Sequence, residues 1–479
     1  VNIQNQFSKV PYFLVCFVLG TIPLVFGAVH PIVYASYTAV VLTGVGGWLC
    51  LSYPFSEQSA ALIPSGWLVP ILCVLLFSAL QTLPIPVAWL DILSPARAVR
   101  VEMVNDLAQT TQKLASISEY GIQGLTSTIL LLALLIYFCG VKILLRQNNQ
   151  FFRVVYLIVI IVGLFEAIYG LFQFLSPRIG ILWLPLTGGR AAHGTIIYKN
   201  QFASFLNMCW PLAVAGAIVH LQSLMQVDSD TKKKKSIRER LRRMDDKAKL
   251  APLFIFATGI MLLAVLFSLS RGGIIAMLLV MILLNFFLPI GRKTKFLFLA
   301  LFALFVSAYG ALLGLDTVMS RFDSIGQSGA SRFATYLASI PMLLDHAWSG
   351  IGFGSYNLLS PVYLKGLDAN IHWDHSHNEY LQLMLEFGIP ASMVIFVWLV
   401  AAMFFAGSRL YKLINDNSHP VHPSVIMAGG AYCGLMGLLI HGIADFGWRL
   451  PANLFYAVTL AALVSYGLES SRYPGEGTK

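Results

Sequence analysis

The chain has 479 residues, 57% hydrophobic and 11% charged, with a net charge of +10 and a mean hydropathy of +0.74. Soluble domains carry about 25% charged residues, so these figures exclude a soluble fold and predict an integral membrane protein. The positive charge then reads as topology rather than nucleic-acid binding.

Twelve apolar spans follow in chain order, near 10–28, 31–52, 63–82, 123–144, 154–176, 200–222, 251–269, 272–290, 296–314, 389–407, 425–443 and 452–470. Each is long enough for a bilayer core of about 30 Å. Each is predicted as a helix, because lipid cannot satisfy backbone groups and the alternating barrel pattern is absent. The expected fold is an all-α integral membrane protein with a large outer loop between spans nine and ten. The expected units are 1–176 (spans one to five), 177–314 (spans six to nine), 315–388 (the large loop) and 389–479 (spans ten to twelve and the tail). The first span follows Lys9 and has the look of a signal peptide. It lacks a clear small-residue cleavage site and is read as a retained anchor. The six cysteines lie in or beside apolar spans without CxxC spacing, so neither a disulfide nor a thiolate metal site is expected.

Charge sets the orientation. Most of the 32 Lys and Arg fall on the side that holds both termini and the run Lys232-Lys233-Lys234-Lys235, which the positive-inside rule makes cytoplasmic. Three long outer loops result: 83–122, 177–199 and 315–388. The first is punctuated by Pro84, Pro86 and Pro95 and reads as a structural lid without a catalytic cluster. The second carries Gly188-Gly189-Arg190 and leads through Lys199 into span six at Asn200. Glycines beside an arginine, and a helix N-terminus, both suit a phosphate. A flexible loop with a snorkelling arginine fits equally well.

Ser268-Leu269-Ser270-Arg271-Gly272 lies in a tight outer hairpin between spans seven and eight. A guanidinium at a membrane boundary needs a partner, and a phosphate matches its planar fork; anchoring to lipid headgroups is the alternative. In the large loop, Arg321 and Arg332 flank a glycine pair, and an amphipathic helix is predicted from Ser331 to Asp345. Gly350-Ile351-Gly352-Phe353-Gly354 follows no strand, so a nucleotide site is rejected.

The loop closes on His372-Trp373-Asp374-His375-Ser376-His377-Asn378-Glu379-Tyr380-Leu381. Ser376 and Glu379 have capping-box spacing ahead of an apolar run. That places His377 in the first helical turn, where the helix dipole disfavours imidazolium. A neutral histidine there is a candidate general base. Two other readings compete: His372, His375 and His377 with Asp374 could bind a metal such as zinc, although their spacing is not a standard structural pattern, or they form a polar loop of ordinary hydrogen-bonding histidines; no metal is the expectation. Gly388 is predicted to cap the helix after Glu386. Near the last outer turn, Asp445 and Arg449 either pair with each other or line the same cavity.

An outer arginine loop, Ser-x-Ser-Arg-Gly in a hairpin, a large outer loop, and His375-Ser376-His377-Asn378-Glu379-Tyr380-Leu381 with a later Glu386-x-Gly388 resemble the O-antigen ligase and O-antigen polymerase superfamily over about 190–450. The ligase pattern ends on Gly, Thr or Tyr where this chain has Ala391, a departure that leaves polymerase-type relatives open. The resemblance implies a glycosyltransferase in the bacterial inner membrane with its active site on the periplasmic face. It would move a glycan from undecaprenyl diphosphate to a saccharide hydroxyl, on lipid A core or a growing polysaccharide, without metal, nucleotide sugar or other cofactor. On that reading His377 is the base, and Arg190, Arg271 and Arg332 stabilise the leaving diphosphate. His372, His375, Asn378, Glu379, Lys199, Arg321 and Arg449 contact substrate. Inversion at the anomeric carbon is expected. The rivals are a twelve-helix transporter, disfavoured because the ionisable groups gather at one face rather than at the midplane, and a non-catalytic assembly protein.

Overall fold

The computed structural model describes residues 9–52, 65–185, 190–229, 250–313, 325–365, 373–416 and 420–470. In chain order the apolar helices are α1 (Lys9–Thr21), α2 (Pro31–Ser52, with a π turn at Val41–Gly46) and α3 (Ser65–Thr82). Next come β1 (Ile85–Pro86), α4 (Val87–Leu93), α5 (Pro95–Ala108) and β2 (Leu114–Ala115), where β1 and β2 pair antiparallel. The chain continues with α6 (Gly121–Gln147), α7 (Asn149–Leu175), α8 (Lys199–Ser229), α9 (Ala251–Phe267), α10 (Arg271–Leu284) and α11 (Arg292–Leu313). After these stand α12 (Ile325–Asp345), α13 (Tyr356–Tyr363), α14 (Glu379–Phe387), α15 (Ile389–Asn415), α16 (Pro423–His441) and α17 (Pro451–Ser470).

Among the described residues, seven helices (α2, α6, α7, α8, α15, α16 and α17) are long and apolar enough to cross a membrane. α1, most of α3, α9 and α10 are shorter apolar helices. The protein is therefore an all-α membrane protein, with one two-stranded ribbon among the described residues.

α8 forms the buried axis and packs chiefly on α16. The sequence of α16 explains the closeness of that pair. Gly430, Gly434 and Gly437 share one face, and a Cβ on them would meet Pro211 O at 2.8 Å, Met208 O at 2.6 Å and Asn207 O at 3.2 Å. With no hydrophobic drive between helices in lipid, small residues gain dispersion contact by letting backbones approach. Asn207 completes the junction: its Nδ2 donates to Gly273 O at 2.9 Å and its Oδ1 accepts from Trp210 Nε1 at 3.0 Å. α15 is the opposite case, with Val394, Val397, Val400 and Phe404 exposed, a surface suited to lipid.

Loop 83–122 is tied down by charge. It carries a charged cluster in which Arg97 Nη1 meets Glu119 Oε2 at 2.8 Å, and Arg100 joins the other oxygen of the same carboxylate. Arg100 Nη2 also donates to His346 Nε2 at 2.7 Å, which ties the loop to the end of α12. The α12 helix ends at Asp345 as predicted.

Candidate functional site

The site grows from the start of α14. Asn378 is its N-cap, and Asn378 Oδ1 accepts from the N–H groups of Tyr380 and Leu381, both at 3.0 Å. The predicted Ser376–Glu379 capping box does not form. Ser376 Oγ instead donates to Asn378 O at 2.8 Å, and the Glu379 carboxylate turns elsewhere. His377 therefore precedes the cap and is not in the first turn. It adopts φ +55°, a left-handed conformation that costs a non-glycine residue about 1 kcal/mol or more and clusters at functional sites. Tyr336 Oη holds it there by donating to His377 O at 2.9 Å.

His377 faces the turn between α16 and α17. Its Nδ1 stands 4.0 Å from Asp445 Oδ1, and His441 Nε2 stands 3.8 Å from Asp445 Oδ2. His377 Nδ1 is buried with no hydrogen-bond partner. Asp445 Oδ1 accepts from Phe446 N at 2.8 Å. Burial pushes the Asp445 carboxyl up to about 6. The His377 imidazole is lowered to about 4, by burial first and by the Arg332 guanidinium second, so burial and a nearby cation keep it neutral where the helix dipole was expected to. Arg332 is fixed by donating from Nη1 to Ala444 O at 2.8 Å.

Arg449 does not pair with Asp445. Its Nε donates to Glu379 Oε2 at 3.0 Å and its Nη1 to Glu386 Oε2 at 2.8 Å, while its guanidinium lies 5.4 Å from the Phe353 ring centre. Glu379 Oε1 also accepts from Trp448 N at 2.7 Å. Burial raises the Glu379 carboxyl to about 7 even though Arg449 pulls it down. Gln382 extends the network. Its Oε1 accepts from Ser376 N at 3.1 Å, so its Nε2 is the group that reaches Glu386 Oε1 at 3.1 Å and His375 Nδ1 at 3.2 Å. An amide N–H only donates, so His375 Nδ1 accepts and the proton of the neutral ring sits on Nε2. Burial, then the neighbouring Arg449, lowers His375 to about 3.

These groups open on a cleft of about 440 Å³. Its polar wall includes Gln201, Asn357, His375, His377, Gln382 and Glu386. Its apolar wall is supplied by Val29, Leu130, Leu131 and Leu454 from the bundle, with Phe353 and Phe446 between. Such a mixture suits a ligand with an apolar and a hydroxylated part.

Of the residues expected from sequence, His375, His377 and Arg449 line this cleft. Asn378 and Glu379 build its frame instead. Arg332 lies behind His377. Arg271 is the first residue of α10, whose cap is Ser270 Oγ accepting from Gly273 N at 3.2 Å. Gly272 beside it abuts His441, and a Cβ added there would come within 2.9 Å of the imidazole, so this hairpin borders the Asp445 turn. Arg190 is exposed and Lys199 opens α8; like Arg271, neither lines the cleft. Ala192 N donates to Phe267 O at 2.9 Å, which moors the segment after Arg190 to the same hairpin. Arg321 and His372 lie outside the described residues. Among the described residues, no group of three or more His, Cys, Asp and Glu is placed to hold a metal ion.

Gln382, Gln201 and Asn357 were not expected. Gln382 had a legible signal: Glu379, Gln382 and Glu386 recur at three and four residues, a polar stripe on an otherwise apolar helix. Gln201 and Asn357 had none, because only the fold brings α8 and α13 to one cleft.

Residues 256–397 match a family model described as O-Antigen ligase. No curated protein matches the chain. The matched stretch contains Arg271, Arg332, His375 and His377, whereas Asp445 and Arg449 lie beyond it.

Proposed function

We propose that the chain is a membrane glycosyltransferase of the bacterial inner membrane, working on the periplasmic face, a reading supported by the match of residues 256–397 to an O-Antigen ligase family model. It moves a glycan from undecaprenyl diphosphate to a saccharide hydroxyl, in the manner of an O-antigen ligase. The observation that carries this reading is a neutral histidine, His377, standing 4.0 Å from a buried carboxylate, Asp445, and lining a half-apolar cleft.

In the reaction, His377 takes its Nδ1–H toward Asp445 and offers the Nε2 lone pair to the acceptor hydroxyl. The hydroxyl oxygen attacks the anomeric carbon as Nε2 accepts its proton. The bond from that carbon to the diphosphate oxygen breaks, and the diphosphate leaves with the electron pair, inverting the centre. General-base help of this kind gives about 100- to 10,000-fold. Arg332, with Arg271 and Arg190, stabilises the charge that grows on the leaving group, without any metal, while Lys199 and Arg321 contact substrate. A diphosphate beside Arg332 also cancels part of the charge that depresses His377, so the imidazole gains basicity when the donor is bound. The apolar wall gives the prenyl chain a route into the bilayer. The topology that goes with this reading has twelve spans, cytoplasmic termini and a periplasmic loop at 315–388.

Ala391, at the position where ligases carry Gly, Thr or Tyr, favours a second reading as an O-antigen or exopolysaccharide polymerase. The two readings differ only in the acceptor, lipid A core or another lipid-linked chain. Complementation separates them. A strain lacking the gene, rescued by His377→Ala, accumulates long lipid-linked polymer if a ligase is lost and single lipid-linked repeats if a polymerase is lost. Normal surface polysaccharide with no accumulation in either pool overturns the catalytic assignment. Transport of a labelled glycan into liposomes by active His377→Ala protein would support the transporter instead.

A further inference from the structure

The cationic groups and the cleft do not coincide. Among the described side chains that line the cleft, Arg449 is the one basic group besides His375 and His377, and two carboxylates already hold it. The acidic side chains of the lining are Asp374 and Glu386. A carboxylate or phosphate brought here meets like charge with no cation left over, a juxtaposition that disfavours binding.

The same wall carries two neutral amide oxygens that lack partners. Gln201 is 3% exposed, and its Oε1 is buried without a hydrogen-bond partner; so is Asn357 Oδ1. Each such orphan is unfavourable, and a ligand hydroxyl relieves it. Hydroxyls both donate and accept, as amides do. His375 adds a donor of fixed direction, because Gln382 occupies its Nδ1 and leaves the proton on Nε2. Phe353, Phe446 and Trp448 also line the cleft and offer carbon surface for the apolar face of a pyranose ring.

We propose that the wall formed by Gln201, Asn357 and His375 is a subsite for an uncharged, hydroxyl-rich sugar, and that it excludes acidic sugars such as uronates. The diphosphate then sits at the arginine rim, and the sugar beside His377 is neutral. This rests on the transferase reading for its purpose, but its binding test does not depend on turnover.

The test uses the full-length protein in detergent and two probes of equal length, a neutral galactose tetrasaccharide and a galacturonate tetrasaccharide, followed by ligand-observed saturation-transfer NMR. The neutral probe is expected to bind, and the uronate to bind at least about tenfold more weakly. Asn357→Ala and Gln201→Ala each weaken the neutral probe roughly five- to tenfold, the loss of one hydrogen bond. Glu386→Gln narrows the gap by admitting the uronate, a readout that a mere folding defect would not produce. Uronate binding equal to neutral binding, no binding of the neutral probe, or neutral binding untouched in both amide variants overturns the subsite. A parallel transfer assay keeps the two readings apart. Neutral binding without any transfer sinks the transferase and leaves the subsite standing, while transfer without neutral binding does the reverse.

Discussion

His377 Nδ1 stands 4.0 Å from Asp445 Oδ1, outside hydrogen-bond range, and both belong to elements brought together from 68 residues apart in sequence. A movement of about 1 Å would close this gap into a hydrogen bond. In apo structures such catalytic contacts are often long and tighten only with substrate. The backbone of His377 is held left-handed by the Tyr336 hydroxyl, so the imidazole is presented to the carboxylate rather than packed along the helix.

The first prediction concerns that pair. His377→Ala lowers glycan transfer by about 100- to 10,000-fold, the range of a lost general base. Asp445→Asn keeps the shape but loses the orienting charge, and falls by a smaller factor. Transfer of radiolabelled lipid-linked glycan in proteoliposomes measures both. Wild-type rates in either variant would remove that residue from the mechanism.

The second is the pH profile of kcat/KM. His377 must be neutral to act, and its value of about 4 moves the acid limb far below that of an ordinary histidine. Asp445 ionises near 6 and orients His377 only when charged. Transfer therefore shows a modest step near pH 6 and a steep loss near pH 4. Asp445→Asn abolishes the step near 6. Arg332→Ala, which removes a cation that depresses the imidazole, moves the lower limb upward. A single limb at 6.5 in the wild type would contradict the geometry.

Stability gives a third. The folded Asp445 carboxyl is raised from 3.8 to about 6. A raised carboxyl contributes stability that is fully present below about pH 4 and is lost as pH climbs through 6. The shift corresponds to roughly 3 kcal/mol by pH 7.5. Asp445→Asn should melt higher than wild type at pH 7.5, and the difference should vanish near pH 4. Thermal unfolding in detergent at the two pH values checks it, and a constant difference would refute the assignment.

Arg449 provides the fourth. Its replacement by Ala strands two buried carboxylates, Glu379 and Glu386, and removing one partner of a buried pair costs about 3–5 kcal/mol. Arg449→Ala should be poorly folded. Arg449→Met combined with Glu379→Gln and Glu386→Gln should recover most of the melting temperature, because no buried charge is left unpaired. A triple variant no better than Arg449→Ala would show that packing, not charge, dominates here.

A fifth lies outside the cleft. Glu119 binds both Arg97 and Arg100, so Glu119→Ala leaves two guanidinium groups side by side and loosens loop 83–122 from the end of α12. Limited proteolysis in right-side-out vesicles should cut that loop faster than in the wild type, with transfer affected less than by His377→Ala. An unchanged cleavage rate would deny the cluster its strapping role.

Much of this protein was written in its hydropathy. A run of apolar residues must become a helix in lipid, so every predicted span falls on a helix, and seven of those helices meet the length and apolarity for crossing. Gly388 was legible as a helix end because its φ of +77° is open mainly to glycine. His377 was legible because a polar histidine stretch stands out between apolar helices. What the sequence could not decide was partnership. The Ser376–Glu379 spacing has the form of a capping box, but the Glu379 carboxylate is drawn instead to Arg449 and the Trp448 N–H, while the Ser376 N–H it would have capped donates to Gln382 Oε1 at 3.1 Å and the Glu379 N–H donates to Gly442 O at 2.9 Å. Arg449 could face Asp445, four residues before it, or carboxylates some 65 residues away; only the packing of α14 against the α16–α17 turn chose the latter. Local spacing determines secondary structure because those interactions are short-ranged along the chain. Charges and hydrogen-bond partners buried at a site are selected in three dimensions, so Asp445 beside His377, and the amides of Gln201 and Asn357 in one cleft, were decided by the tertiary structure alone.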